Sequence, residues 1–71
     1  ATIRRGDKGE QVRAWQIALN SFGERLTVDG DFGALTEAAT KRFQIRAGIT
    51  ADGIVGPQTY AALASGRVPR I

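Results

Sequence analysis

The stretch Asp29-Gly30-Asp31-Phe32-Gly33-Ala34-Leu35-Thr36-Glu37-Ala38-Ala39 returns 23 residues later as Asp52-Gly53-Ile54-Val55-Gly56-Pro57-Gln58-Thr59-Tyr60-Ala61-Ala62, with six of eleven positions identical. The shared pattern is D-G-x-apolar-G-x-x-T-x-A-A. Asp-Gly makes a tight turn in which the carboxylate bonds nearby backbone amides and the glycine accepts a positive φ. The apolar residue, Phe32 or Val55, points back into the core. The second glycine, Gly33 or Gly56, lets the chain bend into a helix without a Cβ clash. Thr36 and Thr59 then fall in first helical turns, where a hydroxyl satisfies a backbone group. Each copy delivers the chain from a turn into a helix, and a structural role accounts for every residue of it.

Three helices follow from this reading. The first precedes the repeats and spans about residues 8–22. Asp7 and Glu10 have capping-box spacing, Val12, Trp15, Ala18, Leu19 and Phe22 share one stripe, and Gly23 stops the helix. The second starts after Gly33 and runs to about Ala47, with Gly48 as its stop. Its stripe of Thr36, Ala39, Phe43 and Ala47 is thin, and Glu37 with Lys41 forms an i, i+4 pair outside. Small residues there imply close approach by another element. The third begins at Pro57, continues through Tyr60, Ala61 and Leu63, and stops at Gly66. The fold class is all-α, a compact three-helix bundle carrying two D-G-x-x-G turn-to-helix repeats. Residues 1–66 form the domain, and 67–71, with Pro69, read as a linker or frayed tail.

A chain of 71 residues without His or Cys excludes much chemistry. It has no imidazole base, no thiol nucleophile, no disulfide framework and no zinc site of the usual nitrogen and sulfur ligands. The paired carboxylates, Asp29 with Asp31 and Asp7 with Glu10, have turn and cap roles, and no cleft is built to hold two of them for glycoside hydrolysis. Eight arginines and two lysines give a net charge of +3 and a pI near 10.2, which suits an anionic partner. The basic residues are scattered, however, as on an ordinary solvated surface. No apolar run approaches a membrane span, and the N-terminus has no signal-peptide core.

The ordered series of motifs resembles the type-1, three-helix peptidoglycan-binding domain of bacterial and phage wall enzymes. The residues that carry the resemblance are Ile3 to Val12, Trp15-Gln16, Leu19-Asn20, Gly23, Val28 to Gly33, Thr36, Ala39, Phe43-Gln44, Gly48-Ile49 and Ala51 to Tyr60. Thr40 departs from a frequently apolar position, and Tyr60 stands where Trp is common. Ile17 and Ile45 lie off the buried stripes, as isolated surface residues or as a contact surface for a second domain. The resemblance implies a non-catalytic anchor, without cofactor, tethered to a wall hydrolase such as an endolysin or amidase and acting in the bacterial wall or periplasm.

Peptidoglycan offers N-acetylated sugars and a stem peptide with free carboxylates. The expected ligand site is a shallow groove where the two turns converge, with Gly30, Asp31, Gly33, Gly53, Ile54 and Gly56 presenting amides. Phe32, Val55 and Tyr60 supply its apolar floor, and Arg42 or Arg46 a charge partner. Trp15, by its stripe position, belongs to the core rather than to a sugar-stacking platform. Two other classes fit part of the sequence. A small basic helical nucleic-acid binder would use Arg42 and Arg46 at i, i+4 along a phosphate backbone, but the connections are long for a helix-turn-helix. A protein-interaction or inhibitory pro-segment would lack the cysteine that blocks zinc.

Overall fold

A computed structural model describes residues 2–71. It contains three helices, α1 (Glu10–Ser21), α2 (Ala34–Ala47) and α3 (Pro57–Ser65). The expected helices are all present. The first is shorter than expected because its N-cap is Gly9, with no side-chain cap bond. The Asp7–Glu10 capping box does not form. Asp7 instead closes the preceding turn, its carboxylate accepting from the Arg4 amide at 3.0 Å.

The ends of α2 and α3 agree with the glycine reading. Gly48 and Gly66 adopt left-handed φ of 73° and 69° just past each helix, a conformation that costs glycine nothing and satisfies terminal carbonyls.

The core consists of Ile3, Val12, Trp15, Leu19, Phe32, Ala39, Phe43, Val55 and Val68. Trp15 meets Phe43 edge-on at 5.4 Å between ring centroids, and Phe22 meets Phe43 at 5.3 Å. Burial of each large apolar side chain contributes about 1.5–3 kcal/mol, so these rings and Leu19 supply much of the folding drive. The thin stripe of α2 has a cause: Thr36, Thr40 and Gln44 are buried alongside Ala39 and Phe43. Its inward face is partly polar because it holds turns in place.

The segments 3–9 and 68–71 both lie on the bundle. Ile3 forms a two-bond antiparallel bridge with Val55, at 3.1 and 2.8 Å. Gly6 and Gly9 donate to Phe32 and Gly30, and Phe32 donates back to Asp7, all at 2.9–3.0 Å. The segment from Ile3 to Gly9 therefore ties one turn to the other. The tail is docked rather than frayed. Val68 is buried, Arg46 Nε donates to the Pro69 carbonyl at 3.1 Å, and the Ile71 amide donates to Phe22 at 2.7 Å.

The outer surface differs from expectation at Glu37. It lies 3.4 Å from Arg5 rather than pairing with Lys41, and the second turn packs over both stems: a Cβ at Gly53 would sit 3.0 Å from Glu37 Cγ and 3.1 Å from Lys41 Cε. Ile17 and Ile45 are exposed. Among the described residues, no helix is long and apolar enough to cross a membrane.

Candidate functional site

The two repeats build one structure twice. In each, the glycine after Asp has a positive φ, 74° at Gly30 and 75° at Gly53. The aspartate accepts from the amide two residues on, Asp29 from Asp31 and Asp52 from Ile54, both at 2.9 Å. Those amide bonds are the main reason both carboxyls titrate below the usual range, with the glutamine amides adding to the effect.

A glutamine from the preceding helix clamps each turn. Gln16 Nε2 donates to Asp29 Oδ1, the Asp31 carbonyl and Thr36 Oγ1 at 3.0, 3.1 and 3.1 Å. Gln44 Nε2 donates to Asp52 Oδ1, the Ile54 carbonyl and Thr59 Oγ1 at 3.0, 2.9 and 3.1 Å. Each Oε1 accepts the glycine amide of its turn at 2.9 Å. Both glutamines are buried, and a buried primary amide needs both donors and its acceptor matched. The turn meets that demand, so helix and turn fix one another.

Beyond the clamp, Gly33 and Gly56 are helix N-caps with φ of −100° and −111° and no side-chain cap bond. A Cβ at Gly33 would meet nothing within 4 Å, and one at Gly56 only Thr2 Oγ1 at 3.9 Å. The clash expected to require glycine here is absent. Open notches lie at both positions. The first, about 260 Å³, is lined by Leu26, Thr27, Asp29, Asp31, Leu35 and Thr36 among others. The second, about 380 Å³, is lined by Thr2, Thr50, Asp52, Ile54, Gln58 and Thr59 among others.

The residues expected to form one groove are distributed over several places. Phe32 and Val55 are 1% and 0% exposed, so they are core and form no apolar floor. Apart from that of Gly56, the turn amides are engaged internally: Gly30 and Gly53 with the glutamines, Asp31 and Ile54 with the aspartates. Phe32 donates to Asp7, Gly33 to Asp31 and Val55 to Ile3. Arg42 holds Glu24 through two bonds at 2.9 and 2.8 Å. This pairing is the chief reason that the Glu24 carboxyl titrates low and the Arg42 guanidinium high. Arg46 is engaged by the tail. Tyr60 faces α1, its ring 6.3 Å from that of Trp15, and burial pushes its phenol pKa up. It lines a third cavity, about 360 Å³, with Gln11, Ala14, Trp15, Ala18 and Leu63. Among the described residues, no three His, Cys, Asp or Glu side chains gather as a metal site.

A family model described as "Putative peptidoglycan binding domain" matches residues 8–63, from before α1 almost to the end of α3. The chain belongs to this peptidoglycan-binding domain family. It is 45% identical over 62 residues to a zinc D-Ala-D-Ala carboxypeptidase of Streptomyces albus G, covering 83% of this chain and 24% of that protein. It is 41% identical over 66 residues to the N-acetylmuramoyl-L-alanine amidase CwlL of Bacillus licheniformis, covering 89% of this chain and 18% of the amidase. The crystal structure of the Burkholderia AP3 phage endolysin superposes with a TM-score of 0.90 at 42% identity, over 94% of this chain and 26% of that one. The chain thus spans about a quarter or less of each of these relatives.

In this peptidoglycan-binding domain, the residues missed by sequence reasoning are Gln16, Gln44 and Gln11. A signal existed for the first two. Trp15-Gln16 and Phe43-Gln44 each place a glutamine beside a core aromatic ahead of a D-G-x-x-G turn. Gln11 and the α1–α3 groove left no such mark, since alanines on a helix face do not reveal whether the neighbouring helix covers them.

Proposed function

We propose that the chain is a non-catalytic anchor that holds a wall-active enzyme on peptidoglycan. The family match over residues 8–63 carries this reading, and the carboxypeptidase, amidase and endolysin among the similar proteins support a tethered hydrolase as its partner. The chemistry of the chain agrees: there is no His or Cys, and Asp29, Asp52 and Glu24 are engaged in structural bonds. An anchor works by effective concentration, keeping a tethered active site near an insoluble polymer without adding catalytic contacts. Its place of action is the bacterial wall.

Asp31, Gly33, Ile54 and Gly56 rim the two notches, and Tyr60 rims the α1–α3 groove. On this reading the polymer lies along these surfaces, while Phe32, Val55, Gly30 and Gly53 act from beneath as scaffold. Co-sedimentation with purified sacculi, stripped of protein and teichoic acid, tests the proposal. The folded domain should pellet with the sacculi at moderate salt. Folded protein that stays in the supernatant under all conditions would refute it.

A further inference from the structure

The three cavities differ in charge. Aspartates line both turn notches, Asp29 and Asp31 in one and Asp52 in the other. The α1–α3 groove is lined by Gln11, Ala14, Trp15, Ala18, Tyr60 and Leu63, none of them charged, on a chain in which 24% of residues are charged. Resting on the anchor reading above, we propose that this groove is the site for the neutral part of the polymer: one N-acetylated hexosamine ring of the glycan strand.

Shape and chemistry both support that occupant. Ala14 and Ala18 bear only methyl groups, so this stripe of α1 lies low beside Tyr60 and Leu63 of α3, with Gln11 one turn along the same stripe towards the start of the helix. A cavity of about 360 Å³ is at the small end of ligand sites, which run to about 1,000 Å³, and suits a single ring rather than an extended peptide. An N-acetylated pyranose has an apolar C–H face, a methyl group, and hydroxyl and amide groups at its edge. The Tyr60 ring offers a surface for the C–H face, the alanines and Leu63 a surface for the methyl, and the Gln11 amide both a donor and an acceptor at the rim. A stem-peptide carboxylate would surrender its water there without meeting a cation, which is unfavourable. In the turn notches it would meet aspartates.

The groove wall is also fixed before any ligand arrives. The Trp15 indole is held by its bond to Thr40 at 2.9 Å and by edge contacts with Phe43 and Tyr60 at 5.4 and 6.3 Å. A rigid wall loses little entropy on binding.

The test uses isotope-labelled domain titrated with a soluble β-1,4-linked N-acetylglucosamine trimer and, separately, with a stem peptide bearing free carboxylates. Sacculus binding is measured in parallel for the parent, Ala14→Leu and Tyr60→Ala. Ala14 is exposed, so Ala14→Leu fills the groove without disturbing the core, and it keeps the test valid if Tyr60→Ala fails to fold. The sugar should shift the amides of Gln11, Ala14, Tyr60 and Leu63, with little change between low and high salt because no charge pair forms. Folded Ala14→Leu should bind sacculi about tenfold more weakly, as for loss of one well-packed contact. Sugar shifts confined to residues 30–36 and 53–59, groove shifts produced by the peptide alone, or Ala14→Leu pelleting like the parent would overturn the groove assignment while leaving the anchor reading intact. Failure of the parent itself to bind sacculi would remove both.

Discussion

The indole N–H of Trp15 donates to the Thr40 hydroxyl at 2.9 Å, and that hydroxyl donates onward to the Thr36 carbonyl at 2.7 Å. Both residues are buried. The hydroxyl at a position where an apolar side chain is common thus has a definite role. It satisfies a tryptophan nitrogen that would otherwise be dry, and it ties α1 to α2.

Thr40→Val keeps the shape and removes the acceptor, leaving the indole N–H unpaired. The expected loss is about 1–3 kcal/mol, the usual cost of one buried unsatisfied group, measured by urea denaturation. Trp15→Phe in the same chain removes the stranded donor. The double variant should therefore be less destabilised than the sum of the single ones. Strict additivity would show that the bond contributes nothing.

The glutamine clamps predict a sharper, pH-dependent effect. In Gln44→Glu, an oxygen replaces the amide nitrogen that faces Asp52 Oδ1 and the Ile54 carbonyl, at 3.0 and 2.9 Å. At neutral pH a buried carboxylate would oppose two acceptors, a loss of about 3 kcal/mol or more. Protonation restores one donor, so the deficit relative to the parent should narrow as pH is lowered towards 5. Gln44→Leu should be destabilised without that recovery. A Gln44→Glu deficit that is flat with pH would argue against the clamp geometry.

The helices were legible in the sequence because their signals are local. Gly48 and Gly66 end α2 and α3 through a backbone conformation that glycine alone adopts freely, and Pro57 opens α3 with its fixed φ. The site was less legible because its parts are set by distant partners. Phe32 and Val55 look like ligand-facing apolar residues in a turn, yet the segment Ile3–Gly9 covers them through bonds spanning over twenty residues. Arg42 and Arg46 share a helix face at i, i+4, but nothing local shows that Glu24 and Pro69 occupy them. Asp7 illustrates the reverse failure. Its capping-box spacing is correct, but the Arg4 amide takes its carboxylate first.

Acid should destabilise the domain through three carboxylates. Asp29, Asp52 and Glu24 all titrate below their ordinary range, against about 3.9 for Asp and 4.3 for Glu in unfolded chains. A depressed folded-state pKa means that the unfolded chain binds protons first on acidification. The stabilisation is therefore complete above about pH 5 and is lost as pH falls through the folded-state values. Between pH 5 and 8 stability should be nearly flat, since the chain has no histidine. Denaturation midpoints across pH 2–8 check this, and Glu24→Gln should flatten part of the acid limb. A midpoint that moves strongly between pH 6 and 8 would contradict the assignment.

The glycines of the repeat divide into a structural pair and a permissive pair, which separates folding from binding. At Gly30, φ is +74° and a Cβ would lie 3.1 Å from the Gly9 carbonyl oxygen, so Gly30→Ala forces backbone apart as well as straining the residue. Gly53 has the same strain, but its Cβ would meet the movable stems of Glu37 and Lys41. Gly53→Ala should lose about 1–2 kcal/mol from the left-handed conformation, and Gly30→Ala more. Gly33 and Gly56 are extended, with room for a methyl group, so Ala there should change the melting temperature little: the freedom lost by the unfolded chain stabilises, and Ala is the poorer N-cap residue. That methyl joins the lining of each notch. If the polymer enters the notches, Gly33→Ala and Gly56→Ala will weaken sacculus binding at full stability. If it engages only the α1–α3 groove, both will bind like the parent, and the glycines at these caps will have no role that stability or binding detects.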